Sequence, residues 1–368
     1  MKPKVLILSN SIFGLHSFRK EVVKAICDAG YSVYISVPEV SGEKAEYFRE
    51  IGCTLVKTEF NRRGTNPLAD FKLMQAYHKL IKQQKPVAVL TYTIKPNIYG
   101  GMAARLCRVP QLANVTGLGD AVENGGWMQK LTVTLYKMGL GKAHRVFFQN
   151  ESNRNFCVRM GIADESSVLL PGSGVNLQHH TYQKYPDDDG KIRFLYIGRL
   201  LKDKGAEEFF DTAKIIKSKY PQTEFQIVGS IEGDYRKQLD ELVTIGIVRF
   251  LGSQSDVRPF IGAVECTIMP SYHEGMSNVN LESAANGRPV ITTNVPGCIE
   301  TVEDGKTGFV IEAKSTKSLV EAVERFIALP NNQRILMGQE GRKKVEREFD
   351  RQIVIDAYLL ELKAITNV

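Results

Sequence analysis

Two short segments in the second half of the chain carry residue types suited to an anionic, hydroxyl-rich ligand. The first, Gly198-Arg199-Leu200-Leu201-Lys202-Asp203-Lys204-Gly205, follows the apolar run Phe194–Ile197. Arg199 and Lys204 on a turn at the end of a strand would flank an anion, and Gly198 and Gly205 let the backbone turn tightly. The second, Pro270-Ser271-Tyr272-His273-Glu274-Gly275-Met276-Ser277-Asn278-Val279-Asn280-Leu281-Glu282, follows the run Cys266–Met269. Glu274 falls in its loop and Glu282 one to two turns into the next helix. Gly275, Met276, Ser277 and Asn278 would offer backbone N–H groups at that helix N-terminus, where unpaired donors and the helix dipole attract phosphate. A carboxylate accepts on both oxygens, so Glu282 can take two ribose hydroxyls and Glu274 those of a sugar. Ordinary surface charge is the alternative for each side chain; the strand context and glycine spacing argue against it.

These residues need strand ends to hold them, and the sequence supplies a series. Val5–Leu8, Ser32–Val37, Thr54–Lys57, Val87–Leu90, Gln111–Val115 and Val146–Phe148 read as strands, with helical segments at Ser17–Ala29, Glu43–Ile51, Leu68–Gln83, Ile98–Leu106 and Met128–Met138 between them. Alternation with few hairpin turns predicts a parallel sheet wound on both faces. The pattern breaks at Pro171-Gly172-Ser173-Gly174 and Tyr185-Pro186-Asp187-Asp188-Asp189-Gly190, which read as an interdomain connection. A second series follows, with strands at Ile192–Ile197, Glu224–Val228, Val248–Phe250, Cys266–Met269, Pro289–Thr292 and Gly308–Ile311. Helices near Ser315–Ala328, Gln333–Glu348 and Gln352–Ile365 close the chain. A length of 368 residues fits two such domains.

Composition narrows the partners. The net charge of +7 suits an anionic ligand or membrane surface, and the long like-charge runs of nucleic-acid tails are missing. Six cysteines without a CxxC pair read as reduced thiols of a cytoplasmic protein. The N-terminal apolar run is too short for a signal peptide, and no apolar stretch approaches the roughly 20 residues that span a bilayer. Any membrane contact would be peripheral. Asp187-Asp188-Asp189 and His179-His180 lie in the connection and read as a solvated turn rather than a metal site. No GxGxxG follows the first strand, which disfavours a dinucleotide dehydrogenase.

GRLLKDKG followed by PSYHEGMSNVNLE resembles the donor-site signature of family 4 retaining glycosyltransferases of the GT-B fold, with the same seven residues between the two glutamates. TYTIKPNIYGGMAARLCRVP and NVTGLG resemble the subset that extends polyprenyl-pyrophosphate-linked glycans in bacterial surface-polysaccharide or protein-glycosylation pathways. The resemblance implies two Rossmann-like domains facing each other across a cleft. Residues 1–175 would bind the acceptor and 190–350 the donor, with 351–368 a helix crossing back to the first domain. It implies a UDP-sugar donor, a hexose or N-acetylhexosamine transferred with retention, and no metal. Arg199 and Lys204 would neutralise the leaving diphosphate, Glu274 would hold the donor sugar, Glu282 the ribose, and Met276, Ser277 and Asn278 would add backbone contacts. The family's histidine after the fifth strand has no counterpart here. That place reads Asn114-Val115-Thr116-Gly117-Leu118-Gly119-Asp120, and Gly117 and Gly119 suggest room for a bulky acceptor.

The first half offers further candidates. Gly14, in SNSIFGLHSFR, would let the loop after the first strand approach the pyrophosphate or donor sugar closely, and His16 could donate a hydrogen bond or be a plain loop residue. Arg19, Arg62, Arg63 and Lys95 follow strands one, three and four and could bind an acceptor pyrophosphate; solvated basic residues are the alternative. The segment from Gly126-Trp127 to Met138 suits an anionic membrane interface or a core helix. The expected location is the cytoplasm, on the inner face of the plasma membrane. The rivals are a non-catalytic nucleotide-sugar-binding subunit of a glycan-assembly complex, which would not need Glu274, Arg199 and Lys204 together, and a GT-B nucleotide-sugar epimerase, which would need no acceptor loops.

Overall fold

A computed structural model describes residues 2–61, 66–118 and 126–366. The chain forms two compact units, Met1–Ser173 with Gln352–Val368, and Gly174–Arg351. Each is built on one all-parallel sheet. In the first, β1 (Lys4–Leu8), β2 (Ser32–Val37), β3 (Thr54–Lys57), β4 (Ala88–Tyr92), β5 (Gln111–Val115), β6 (Arg145–Phe148) and β7 (Val168–Leu169) lie in the order β3-β2-β1-β4-β5-β6-β7. In the second, β8 (Ile192–Ile197), β9 (Thr223–Val228), β10 (Val248–Phe250), β11 (Cys266–Met269), β12 (Val290–Thr293) and β13 (Gly308–Ile311) lie in the order β10-β9-β8-β11-β12-β13. Both are Rossmann-like. The order reverses between β1 and β4 and between β8 and β11, where open parallel sheets leave a crevice at the carboxyl ends of the strands.

The strands are near-continuous apolar runs because helices cover both faces. Val5, Ile7, Ile35, Leu90 and Phe147 meet Val22, Val23 and Ile26 of α1 (Ile12–Asp28) in one core. The last helix, Arg351–Thr366, adds Val354, Tyr358 and Leu362, each 0 % exposed, to that same core. Phe194, Phe209, Phe225 and Phe326 centre the second unit's core.

Two local readings are corrected. Helix α1 starts at Ile12, five residues before the expected Ser17, because the Ser11 hydroxyl caps it by accepting from the Gly14 N–H at 3.1 Å. Gly14 thus lies in the first helical turn, not in a loop. The stretch after Gly174, expected as a connector, packs into the second unit. The Tyr185 hydroxyl donates to Glu265 O at 3.0 Å, and the fully buried Arg288 guanidinium donates to Gln183 O and Lys184 O at 3.0 and 2.7 Å. The short strand β7 and the helix Glu151–Arg159 had no clear signal in the sequence.

Candidate functional site: the switch point of the second sheet

Strands β8 and β11 are neighbours, Cys266 pairing with Phe194 and Thr267 with Leu195. The two sequence motifs therefore leave the sheet side by side at its reversal point. Beyond β8, Lys202–Lys204 form one tight helical turn, and Gly205 takes a left-handed φ of 70° before the helix Ala206–Lys219. A Cβ at Gly205 would stand 2.2 Å from Pro270 O, so glycine is what lets the two loops touch. The Tyr272 N–H donates to Asp203 O at 2.9 Å, and the Ser271 hydroxyl donates to Asp203 O at 3.2 Å. From the next strand the Thr293 hydroxyl donates to Ser271 O at 2.6 Å. Gly297, at φ 80°, passes so near Glu274 that a Cβ would lie 2.5 Å from Glu274 O.

This scaffold brings Lys204 and Glu274 together: Nζ and Oε1 are 2.6 Å apart, with side chains only 19 % and 16 % exposed. Arg199 does not join them. It reaches Glu232, after β9, at 3.1 Å, in a pair half open to solvent. The buried Tyr196 hydroxyl braces the turn, donating to Arg199 O at 2.9 Å with Lys204 O 3.3 Å from the same oxygen.

Helix α10 (Asn278–Ala285 in the second unit, after helices Arg236–Thr244 and Arg258–Gly262) is capped by Ser277, whose hydroxyl accepts from the Asn280 N–H at 3.4 Å. The Ser277 N–H is already committed to Gly297 O at 2.7 Å, so it is not the open donor the sequence suggested. The Met276 side chain is core, packed with Leu281, Ala285 and Phe349. Gly198 leaves β8, its N–H held by Val228 O at 2.9 Å. Glu282 sits on the second turn of α10. Burial pushes its carboxyl up to about 7, and Arg351 opposes that shift. His180 Nε2 lies 4.0 Å from its Oε1. Sequence reasoning missed Glu232, Gly297, Thr293 and His180 as neighbours of the site, because none carries a motif: Glu232 and His180 come from other segments, and Thr293 and Gly297 from the end of the next strand and its loop.

Asp187–Asp189 have local uses. Asp187 pairs with Lys184 at 2.6 Å, Asp188 accepts from the Gly190 N–H at 3.2 Å and Asp189 from the Lys191 N–H at 3.1 Å. Among the described residues no three His, Cys, Asp or Glu side chains gather as a metal-ligand set.

In the first unit the candidates scatter. Gly14 would tolerate a Cβ, whose nearest neighbour would be Ser11 Cβ at 3.7 Å, so the chain's own geometry does not demand glycine there. His16 stacks edge-on against Tyr47 at 5.0 Å and Phe48 at 6.1 Å, on the face of α1 toward α2 (Glu43–Glu50). Burial first, then Lys20 and Lys44, lowers its pKa. Arg19 is 3 % exposed, lies over the Tyr92 ring and donates to Phe18 O at 2.9 Å and Asn114 Oδ1 at 3.4 Å. It is an interior residue, not an open phosphate ligand. Lys95 is likewise engaged: its Nζ is 2.6 Å from Asp70 Oδ1, which opens α3 (Pro67–Gln84), and the Tyr99 hydroxyl donates to Asp70 Oδ2 at 2.9 Å. Gly117 faces open space, with nothing within 4 Å of the place a Cβ would take. Arg62, Arg63 and Gly119 lie outside the described residues. On the helix Gly126–Leu140, Trp127, Leu131 and Met138 are exposed and Val133 and Tyr136 buried, so the helix has both a core face and an apolar outer face. No helix among the described residues is long and apolar enough to cross a membrane.

Over its whole length the fold matches sucrose-phosphate synthase from Thermosynechococcus elongatus, with a TM-score of 0.80, 20 % identity and all of both chains covered. Two Rossmann-like domains of this kind define the GT-B class. Residues 4–150 match the family model described as glycosyl transferase 4-like, and 180–344 the model of glycosyl transferases group 1. A curated relative from Campylobacter jejuni, N,N'-diacetylbacillosaminyl-diphospho-undecaprenol alpha-1,3-N-acetylgalactosaminyltransferase, is 26 % identical across 99 % of this chain and 100 % of its own. Another, from Escherichia coli, UDP-Gal:alpha-D-GlcNAc-diphosphoundecaprenol alpha-1,3-galactosyltransferase, is 27 % identical across 72 % of each. The chain belongs to the family 4 glycosyltransferases, enzymes that transfer sugars.

Proposed function

We propose that the protein transfers a hexose or N-acetylhexosamine, with retention, from a UDP-sugar to a polyprenyl-diphosphate-linked glycan in the assembly of a bacterial surface polysaccharide or glycoprotein glycan. The observation that carries this reading is the gathering of Lys204, Glu274, the capped start of α10 and Glu282 around the β8/β11 switch point. A cation and a helix N-terminus suit a diphosphate, and two carboxylates suit the hydroxyls at either end of it. The end-to-end match with a relative acting on a diphospho-undecaprenol glycan, and the UDP-galactose named for the second relative, support the acceptor and donor classes.

In this mechanism Lys204 and Arg199 leave their carboxylate partners for the donor diphosphate and offset the charge that builds on it as the glycosidic bond breaks. They take the part a divalent ion plays elsewhere. Glu274 orients the sugar, and the departing phosphate oxygen takes the proton of the attacking acceptor hydroxyl on the same face, which retains configuration. The membrane carrying the acceptor would meet the first unit through its exposed apolar residues, Trp127 among them. The test is a donor-by-acceptor screen of the purified protein with UDP-sugars and polyprenyl-pyrophosphate glycans. Donor hydrolysis without transfer to any lipid-linked acceptor would overturn the acceptor class, and inertness toward every nucleotide sugar would favour a non-catalytic binding subunit.

A further inference from the structure

His180 comes from the stretch that follows Gly174, far in sequence from either donor motif, yet it stands beside Glu282. It is 7 % exposed. Its Nδ1 lies 3.0 Å from Asn286 Nδ2. The orientation of that amide is fixed independently: the same nitrogen donates to Glu282 O at 2.6 Å, and Asn286 Oδ1 accepts from Gln183 at 2.9 Å. An amide nitrogen donates only, so His180 Nδ1 is an acceptor and the ring proton sits on Nε2, the atom 4.0 Å from Glu282 Oε1. Burial, then His179, Arg258 and Arg351, holds the imidazole down at about 4, against the pull of Asp256, so it faces the carboxylate as a neutral donor. The backbone around it is pinned: Arg342 donates to His180 O at 2.7 Å, Arg258 to His179 O at 3.1 Å and Arg351 to Gly174 O at 2.9 Å.

We infer that His180 is a positioning residue for the donor nucleotide: its Nε2–H steers the Glu282 carboxylate so that both carboxylate oxygens meet the ribose hydroxyls. This rests on the reading of Glu282 as the ribose ligand. At 4.0 Å the contact is longer than a hydrogen bond, so the steering requires the Glu282 side chain to turn toward the ring when the nucleotide binds. Asn286 sets the tautomer that makes this possible. The charged and titratable groups facing the pair are His179, Arg258, Asp256, Arg342 and Arg351 around His180, and Arg351 beside Glu282.

The experiment is UDP binding to the full-length protein by calorimetry, from about pH 6 to about pH 9, a span that brackets the Glu282 midpoint. In the parent, affinity climbs with pH as the carboxylate forms and then levels off. Replacing His180 by Phe keeps an aromatic ring but removes the donor. It should weaken the plateau roughly tenfold, the worth of one hydrogen bond to a charged acceptor, and move the midpoint upward. His180→Gln, which restores an N–H, should recover most of both. Glu282→Gln should weaken binding and flatten the pH profile. If His180→Phe keeps the parent's midpoint and binds within twofold while Glu282→Gln weakens binding, the inference fails and the donor reading stands. Equal losses in His180→Phe and His180→Gln would make His180 merely structural. An unchanged profile in Glu282→Gln would remove the donor reading itself.

Discussion

In the proposed mechanism most of the chemistry rests on Lys204 and Glu274, which the structure holds 2.6 Å apart. A preorganised cation at a breaking phosphate bond contributes a few kcal/mol to the transition state, so Lys204→Ala should lower transfer by roughly 100-fold or more. Rates within about twofold of the parent would take Lys204 out of the site. Lys95 has a different fate from the one its loop position suggests. Its ammonium and Asp70 are 13 % and 12 % exposed and bonded at 2.6 Å, and removing one partner strands the other charge away from water. Lys95→Ala should therefore destabilise the protein by on the order of 2 kcal/mol, somewhat less than the loss of a fully buried pair. Its acceptor Michaelis constant should rise no more for a pyrophosphate-linked glycan than for the same glycan without pyrophosphate. Denaturant titration and the paired kinetics separate this from an anion-binding role: a selective loss with the pyrophosphate acceptor and unchanged stability would restore the sequence reading.

At the scale of elements, the site depends on two loops held in contact and on one helix completing a core. Gly205→Ala forces a side chain into a left-handed turn and against Pro270 O, 2.2 Å from the new carbon. The backbone conformation alone costs about 1–2 kcal/mol, and the loops must part as well, so stability and UDP affinity should fall together. A variant that melts with the parent and binds UDP normally would show that the loops need not touch. The helix Arg351–Thr366 brings Val354, Tyr358 and Leu362 into the first unit's core. Burial of each contributes about 1.5–3 kcal/mol, a sum comparable with the whole net stability of a domain. Truncation after Arg351 should abolish the unfolding transition of the first unit and leave that of Gly174–Arg351, which hydrogen exchange would map residue by residue. Retained protection on β1 and β4 would contradict this.

For the whole molecule, the proposed mechanism assigns the cations of the second unit to one diphosphate, and the basic loops of the first unit bear on a second anion. With Arg19 and Lys95 engaged internally, that expectation now rests on Arg62 and Arg63, which lie outside the described residues. Arg63→Ala should raise the acceptor Michaelis constant more than the donor's, and more steeply at low salt, where Coulomb attraction is less screened. Equal use by the parent of acceptors with and without pyrophosphate would refute a second anion site. The proposed transfer of Arg199 and Lys204 onto the diphosphate also predicts turnover in excess chelator; complete loss, restored by a divalent ion, would show that the two cations do not suffice.

The alternation of strands and helices and the two motifs after Ile197 and Met269 were legible in the sequence, because apolar periodicity and glycine spacing are local properties of the chain. That legibility extended to most strand bounds: Ser32–Val37, Ile192–Ile197 and Cys266–Met269 are as read. It faltered at Gly14, where a single serine cap outweighs the weak helix propensity of glycine. Strand order, by contrast, is a property of pairing. Only the folded sheet shows that β8 and β11 are adjacent, which puts Lys204 on Glu274 rather than beside Arg199. The same holds for charge. A sequence displays Arg19 and Lys95 as basic residues after strands; whether such a side chain meets solvent, a carbonyl or a carboxylate is decided by what the tertiary structure packs against it, here Phe18 O and Asn114 for the one and Asp70 for the other.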